Sequence, residues 1–145
     1  MERQMAKEGI ISFDGYRLFR IDYKCEPYYN QGTVSDGKYT YNFAYGTIDL
    51  PDNVIQINLL VTAYFSSDGI GEDDAPLSIT IEIGGKFKAT DGSEWNHSWD
   101  ANAIAILYPY VRGIVSSVTS QAGIETITLP TINVAAMLLN SKEKE

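Results

Sequence analysis

The sequence predicts an α+β domain in which a four-stranded antiparallel sheet carries a long helix and a short C-terminal helix packed on one face. Two observations support this fold class. Hydrophobic residues recur with period two in four segments before residue 90, and with the three- and four-residue steps of a helix after Trp95. The strands therefore come first and the helices last, without the alternation typical of parallel sheets.

The four strand segments are bounded by Gly, Pro, Asp or Asn residues, which favour turns. The predicted strands are Arg17 to Cys25, Lys38 to Ile48, Val54 to Phe65 and Leu77 to Phe87. Strands that follow each other after short connections are most simply antiparallel neighbours. Only the first connection, Glu26 to Gly37, is long enough to permit a crossover.

The long helix is predicted after Trp95. Its apolar stripe consists of Ile104, Leu107, Tyr108, Val111, Ile114, Val115 and Val118. Asp100 or Ser98 is suited to cap its start, and Gly123 its end. Pro109 conflicts with a continuous helix, because proline removes one hydrogen bond and clashes with the carbonyl group four residues earlier. We therefore expect a kink at Pro109, or a helix that begins near it with Pro109 in the first turn.

A second, shorter helix is predicted near the C-terminus, with Asn133 as its cap. This helix runs through Val134, Met137, Leu138 and Leu139. The segment Ile124 to Ile132 before it contains Pro130 and lacks a helical pattern. We expect residues 1–145 to form one domain, with flexible ends at 1–15 and 141–145.

Composition and charge narrow the classes of function. The chain has 44% hydrophobic and 21% charged residues, which is typical of a globular domain. Its net charge of -8 repels nucleic acid and anionic lipids, so neither is an expected partner. A single cysteine, Cys25, excludes an internal disulfide and fits a reducing compartment. The sequence shows neither a secretion signal nor a membrane span, and we expect a cytoplasmic protein.

The sequence contains no recognisable catalytic apparatus. His97 is the only histidine, so neither a histidine-based metal site nor a Ser-His relay has its second component. Cys25 needs His97 beside it in the fold to act as a nucleophile. The segment Gly32 to Tyr39 comes within one residue of a phosphate-binding loop, but Tyr39 cannot replace the hydroxyl that binds magnesium. We therefore expect no enzymatic activity, no cofactor and no metal.

The most distinctive pattern is a run of aromatic residues at alternate positions of the second strand. These residues are Tyr39, Tyr41, Phe43 and Tyr45. Alternate residues of a strand project to the same side, so the rings form either core beneath the helix or a groove that binds an apolar partner. Ten tyrosines favour some exposure, because each buried hydroxyl needs a hydrogen-bond partner.

Three segments resemble the SecB family of export chaperones. The first, Leu107-Tyr108-Pro109-Tyr110-Val111-Arg112, is similar to that family's aromatic-Pro-Tyr-x-Arg helix. The second, Leu129-Pro130-Thr131-Ile132-Asn133-Val134, resembles its Leu-x-Pro-Val-Asn segment, with the proline one place earlier. The third, Ile83-Gly84-Gly85-Lys86-Phe87, resembles the Gly-Gly-x-Phe end of its fourth strand. The resemblance covers about Arg17 to Leu139.

The resemblance implies an ATP-independent holdase that binds unfolded or precursor polypeptides in protein export, usually as a tetramer built from dimers. The positions that match its client groove are Tyr39, Tyr41, Phe43, Tyr45, Ile127, Leu129, Met137 and Leu138. Asp22 and Glu26 match acidic positions through which the family docks on the SecA motor. Ser78 and Thr80 replace a leucine and a glutamate of that docking surface. A divergent member of this kind has exported precursors or one particular partner, such as a toxin-antitoxin pair, as its expected client.

The sequence is also compatible with two other functional classes. One is a binding protein or enzyme that holds a small apolar ligand in a pocket between the helix and the sheet. The other is an assembly subunit without clients, because oligomer interfaces and client grooves have similar compositions. The mass in solution and the binding of an unfolded protein distinguish the three.

Overall fold

A computed structural model describes residues 9–29, 38–66 and 70–134 of the chain. The principal elements are β1 (Ile11–Cys25), β2 (Lys38–Leu50), β3 (Val54–Ser66), β4 (Leu77–Ala89) and the helix α1 (Asp100–Gln121). This order confirms the predicted class, a four-stranded antiparallel sheet with one long helix packed on it. Of the short helix predicted through Val134, Met137, Leu138 and Leu139, only Val134 is among the described residues. No helix in the described ranges is long and apolar enough to cross a membrane.

The sheet has the strand order β1-β4-β3-β2, and every neighbouring pair is antiparallel. Strands β2, β3 and β4 are joined consecutively, as their short connections predict. β1 instead pairs with β4, so the chain crosses to the opposite edge of the sheet before β2. The backbone N–H of Glu26 donates to the carbonyl of Pro76 at 2.7 Å, and the Tyr29 ring lies edge-on to Phe65 at 5.3 Å. The residues that follow β1 therefore pass the start of β4 and the end of β3, at one end of the sheet.

Side chains alternate between the helix face of the sheet, which α1 covers, and an open face. The buried residues of β3 on the helix face are Ile55, Ile57, Leu59, Val61, Ala63 and Phe65. Those of β4 are Leu77, Ile79, Ile81, Ile83, Phe87 and Ala89. α1 buries Ala103, Ile104, Leu107, Val111 and Val115 against them. The core therefore lies between α1 and the two central strands.

β1 begins at Ile11, six residues before the predicted start, so residues 11–15 belong to the sheet and not to a flexible end. Its pairing with β4 is irregular between Phe13 and Tyr16, and again between Leu18 and Arg20. Such bulges insert extra residues and interrupt the period-two pattern, which hides the strand from sequence inspection. The expected flexible end at 141–145 lies outside the described residues.

α1 runs from Asp100 through Pro109, which is well inside the helix. The alternative of a helix that begins near Pro109 is therefore wrong. Pro109 and Ala105 both lie on the exposed side of α1, so solvent can satisfy the carbonyl of Ala105 that proline leaves without an N–H. Trp99 occupies the N-cap position in place of the predicted Asp100 or Ser98. Gly123 follows the end of the helix with a φ of 81°, as its predicted role requires.

Candidate functional site

The aromatic residues of β2 form a strip on the helix face of the sheet. This aromatic strip consists of Tyr39, Tyr41, Phe43 and Tyr45, each of intermediate exposure. The residues directly opposite on β3 are Phe65, Ala63, Val61 and Leu59, none more than 6% exposed. β2 is an edge strand, and α1 packs mainly over β3 and β4. The strip therefore forms the rim of the core, with one side packed and the other open.

Tyr108 of α1 joins the aromatic strip to the helix. Its ring is buried and lies 5.9 Å from that of Phe43, between centroids. Burial raises the pKa of Tyr108 above its ordinary value, and the positive charge of Arg112 opposes this rise. Burial also raises the pKa of Tyr41. These hydroxyls are therefore neutral hydrogen-bonding groups at physiological pH.

Residues 124–132, which we call the strap, follow α1 and return along the helix. The main chain of the strap is held by side chains of α1. The Tyr108 hydroxyl donates to the Pro130 carbonyl at 2.6 Å, and Nε of Arg112 donates to the Leu129 carbonyl at 3.2 Å. The aromatic strip, Tyr108 and the strap are therefore connected by direct contacts.

Two further residues of α1 hold the strap at Ile127. The Ser116 hydroxyl donates to the Ile127 carbonyl at 3.3 Å, and the Ile127 N–H donates to Thr119 Oγ1 at 2.9 Å. Thr119 in turn donates to the Val115 carbonyl at 2.8 Å. The sequence prediction did not include these anchors. The sequence does contain a signal for these anchors. Successive steps of four, four and three residues separate Tyr108, Arg112, Ser116 and Thr119, and this spacing places their polar side chains on one face of the helix.

The predicted groove edge is only partly described. Ile127 is 3% exposed and Leu129 is fully buried, and both belong to the core cluster. Their side chains lie beneath the strap and do not face solvent. Met137 and Leu138 lie outside the described residues. A polypeptide can therefore reach the positions of Ile127 and Leu129 only if the strap moves.

The two acidic residues matched to motor docking lie at the end of β1, with Asp22 on the open face. Arg20 contacts Asp22 at 3.1 Å, and Lys24 contacts Glu26 at 3.2 Å. Asp22 is directly opposite Thr80, and Lys24 is opposite Ser78. Each carboxylate thus has a cation two residues before it in the chain, with Glu26 just after the end of β1. This surface has mixed charge where the family match suggests an acidic one.

Cys25 and His97 are far apart. Cys25 is opposite Leu77 at the start of β4, whereas His97 lies close to Trp95, whose ring is 6.1 Å from that of Phe87 near the end of β4. Leu77 and Phe87 are separated by about 33 Å along the strand. Because His97 is the only histidine, Cys25 has no histidine to activate it. In the described ranges, no three His, Cys, Asp or Glu residues are grouped to hold a metal.

The family model described as preprotein translocase subunit SecB matches residues 30–145. The uncharacterized protein MJ0357 of Methanocaldococcus jannaschii is 28% identical over 137 residues, which cover 92% of this chain and 85% of that protein. The fold is similar to that of the SecB-like chaperone Rv1957 of Mycobacterium tuberculosis, solved with a ChAD peptide from the antitoxin HigA1 (Rv1956). That similarity has a TM-score of 0.64 at 15% identity and covers 85% of this chain and 91% of Rv1957.

The family match includes β2, β3, β4, α1 and the strap, which are the elements that build the site. It agrees with the resemblance seen in the α1 and strap motifs. SecB family chaperones are not enzymes. The chain belongs to the SecB family of chaperones.

Proposed function

We propose that the protein is an ATP-independent holdase that binds unfolded polypeptides at the aromatic strip. The observation that carries this proposal is the difference in burial across the helix face of the sheet. The rings of β2 are partly exposed, whereas the β3 residues directly opposite are buried. An apolar surface left open beside a complete core is typical of a binding site.

The chemistry of the strip suits clients of varied sequence. Tyrosine and phenylalanine offer large, rigid contact areas at a low cost in side-chain entropy. The tyrosine hydroxyls add hydrogen-bonding capacity without charge. The ChAD peptide bound to Rv1957 supports a polypeptide as the kind of ligand. Family membership supports the chaperone class.

The double variant Tyr41→Ser with Phe43→Ser tests this proposal. The probe is reduced, carboxymethylated α-lactalbumin, which is permanently unfolded. We expect its affinity to fall severalfold. The free energy of unfolding should fall by clearly less than the roughly 3–5 kcal/mol that each fully buried aromatic residue contributes.

The matched control is Leu59→Ala, opposite Tyr45 and fully buried. It should lower the free energy of unfolding by about 2–5 kcal/mol and leave the affinity of the folded protein unchanged. Collapse of the Tyr41 and Phe43 variant, or unchanged affinity in a well-folded one, would contradict the proposal.

The arrangement of the core weighs against a small-ligand pocket between α1 and the sheet. Leu59, Ile81 and Leu107 are fully buried there and belong to one cluster of packed side chains. A fourth residue, Gly85, lies so close to Leu107 that an added Cβ would be 2.8 Å from Leu107 Cδ2. The tight approach of α1 favours a client surface at the rim over a cavity in the middle.

We propose that the protein forms a homo-oligomer through β1, in the manner of a tetramer built from dimers. β1 is an edge strand of 15 residues. Four of its large hydrophobic residues are exposed: Tyr16, Leu18, Phe19 and Ile21. A long edge with exposed apolar side chains is suited to pair with another copy, because the unpaired main-chain groups need partners. Such pairing through β1 is also compatible with an assembly subunit, the other role that the sequence left open.

For the biological partner, we propose exported precursors in the cytoplasm or one antitoxin. Docking on SecA through Asp22 and Glu26 is expected to be weak, because Arg20 and Lys24 already pair with both carboxylates. Binding of purified SecA at low and physiological salt tests this part. Tight binding at physiological salt that is lost in Asp22→Asn would contradict the expectation of weak docking.

A further inference from the structure

The hydrogen bonds from α1 side chains to the strap end on main-chain atoms of the strap. Tyr108, Arg112 and Ser116 donate to carbonyl oxygens, and Thr119 accepts from an amide. Every polypeptide carries these groups, so this row of α1 side chains can hold an extended chain of almost any sequence. In the part of the chain that the structure describes, the strap adds no strand to the sheet.

The side chains of the strap have the pattern of a bound extended peptide. Ile127 and Leu129 are buried, whereas Thr126, Thr128 and Pro130 are exposed. Two aliphatic residues two positions apart thus enter the core, and the residues between and beside them face outward. The anchor Tyr108 also contacts Phe43, so the site occupied by the strap adjoins the aromatic strip.

We propose that the strap occupies a binding site for client polypeptides and that a bound client displaces it; this proposal rests on the proposed function. The client that replaces it is an extended segment with uncharged aliphatic side chains at positions i and i+2. Its side chains take the places of Ile127 and Leu129, and its carbonyl groups accept the hydrogen bonds of Tyr108, Arg112 and Ser116. Clients bind first along the aromatic strip and, where they carry this pattern, extend into the strap site.

Amide hydrogen exchange in the wild-type protein tests the proposal. The probe is a synthetic peptide of residues 124–132, and its control carries Ile127→Ser and Leu129→Ser. Saturation with the probe should speed exchange of the protein's Ile127 amide by about tenfold or more, because the amide loses Thr119 as its acceptor. The control peptide should leave that exchange unchanged. Binding with unchanged or slower exchange would overturn the proposal, because the peptide then lies beside a closed strap.

The variant Leu129→Ala provides a second readout. It empties one side-chain position of the strap site, so the peptide should bind about three- to tenfold more tightly. Thr128→Ala, on the exposed side of the same strap, is the matched control and should bind as wild type. If Leu129→Ala fails to fold, the exchange experiment decides alone.

The two proposals fail in different ways. Unfolded α-lactalbumin that does not bind at all would refute the holdase, and with it the role of the strap. Unfolded α-lactalbumin that binds, together with no effect of the peptide on Ile127 exchange, would refute the strap displacement and leave the holdase intact.

Discussion

The indole N–H of Trp95 donates a 2.8 Å hydrogen bond to the carboxylate of Asp100, and both side chains are buried. Asp100 is the first residue of α1, where a negative charge interacts favourably with the helix dipole. Trp95 packs against Phe87 of β4 and against Trp99. This one contact therefore joins the end of the sheet to the start of the helix that covers it.

We expect Asp100→Ala to lower the free energy of unfolding by about 2–4 kcal/mol, since it leaves the buried indole N–H without an acceptor and removes the dipole interaction. Denaturant unfolding measures this loss. The control is His97→Ala, because His97 lies 3.3 Å from the same carboxylate but has a side chain that is 60% exposed. That change should cost less than about 1 kcal/mol and leave client binding intact. Equal losses in the two variants would contradict this assignment.

Gly85→Ala should destabilise the protein by about 1–3 kcal/mol through overpacking. A Cβ at this position would lie 2.8 Å from Leu107 and 3.1 Å from the rings of Phe13 and Phe87. The control is Gly46→Ala, another strand glycine, where an added Cβ has no atom within 4 Å. Gly46→Ala should be neutral or stabilising by up to about 1 kcal/mol. Thermal unfolding of both variants measures the difference. Equal stabilities of Gly85→Ala and Gly46→Ala would contradict close packing of the helix on the sheet.

Stability should fall as the pH rises above the ordinary tyrosine pKa of 10.0. Burial raises the pKa of Tyr108 in the folded state, so the unfolded state releases its proton first and is favoured by alkaline solution. The contribution is fully present below pH 10 and is lost as the pH passes the folded pKa. Tyr108→Phe should make this fall less steep, and at pH 7 it should cost about 0.5–1.5 kcal/mol through the lost bond to Pro130. Parallel pH profiles for both proteins would count against the burial effect.

The sequence was most informative where side-chain alternation is regular. β2, β3 and β4 begin at the predicted residues, because apolar or aromatic side chains recur at alternate positions along each segment. β1 was predicted too short, since its bulges break that alternation. Its pairing with β4 depends on contacts distant in sequence, and local patterns carry no information about them.

The site was predicted only in part, for a related reason. The aromatic strip follows from period two, but whether its rings are covered depends on where α1 lies across the sheet. The family resemblance matched Ile127 and Leu129 to the edge of the client groove, in a segment without a helical pattern. Their burial follows from the hydrogen bonds of Arg112 and Thr119, which become visible only once the strap is placed against α1.

Self-association through β1 can be tested with a pair of variants at equally exposed isoleucines on the two edge strands. Ile21 on β1 is 46% exposed, and Ile48 on the opposite edge strand β2 is 47% exposed. A glutamate at either position costs the isolated subunit little, because both side chains already reach solvent. At a β1 interface between two copies, however, Ile21→Glu would bury a carboxylate without a partner.

We therefore expect the wild-type protein to be a dimer or tetramer at micromolar concentration and Ile21→Glu to shift it to smaller species. Ile48→Glu should retain the wild-type mass. Light scattering coupled to size-exclusion chromatography gives the mass, and circular dichroism checks that both variants are folded. A monomeric wild-type protein would refute self-association. A loss of assembly in Ile48→Glu alone would instead assign the contact to β2 and place the interface beside the aromatic strip.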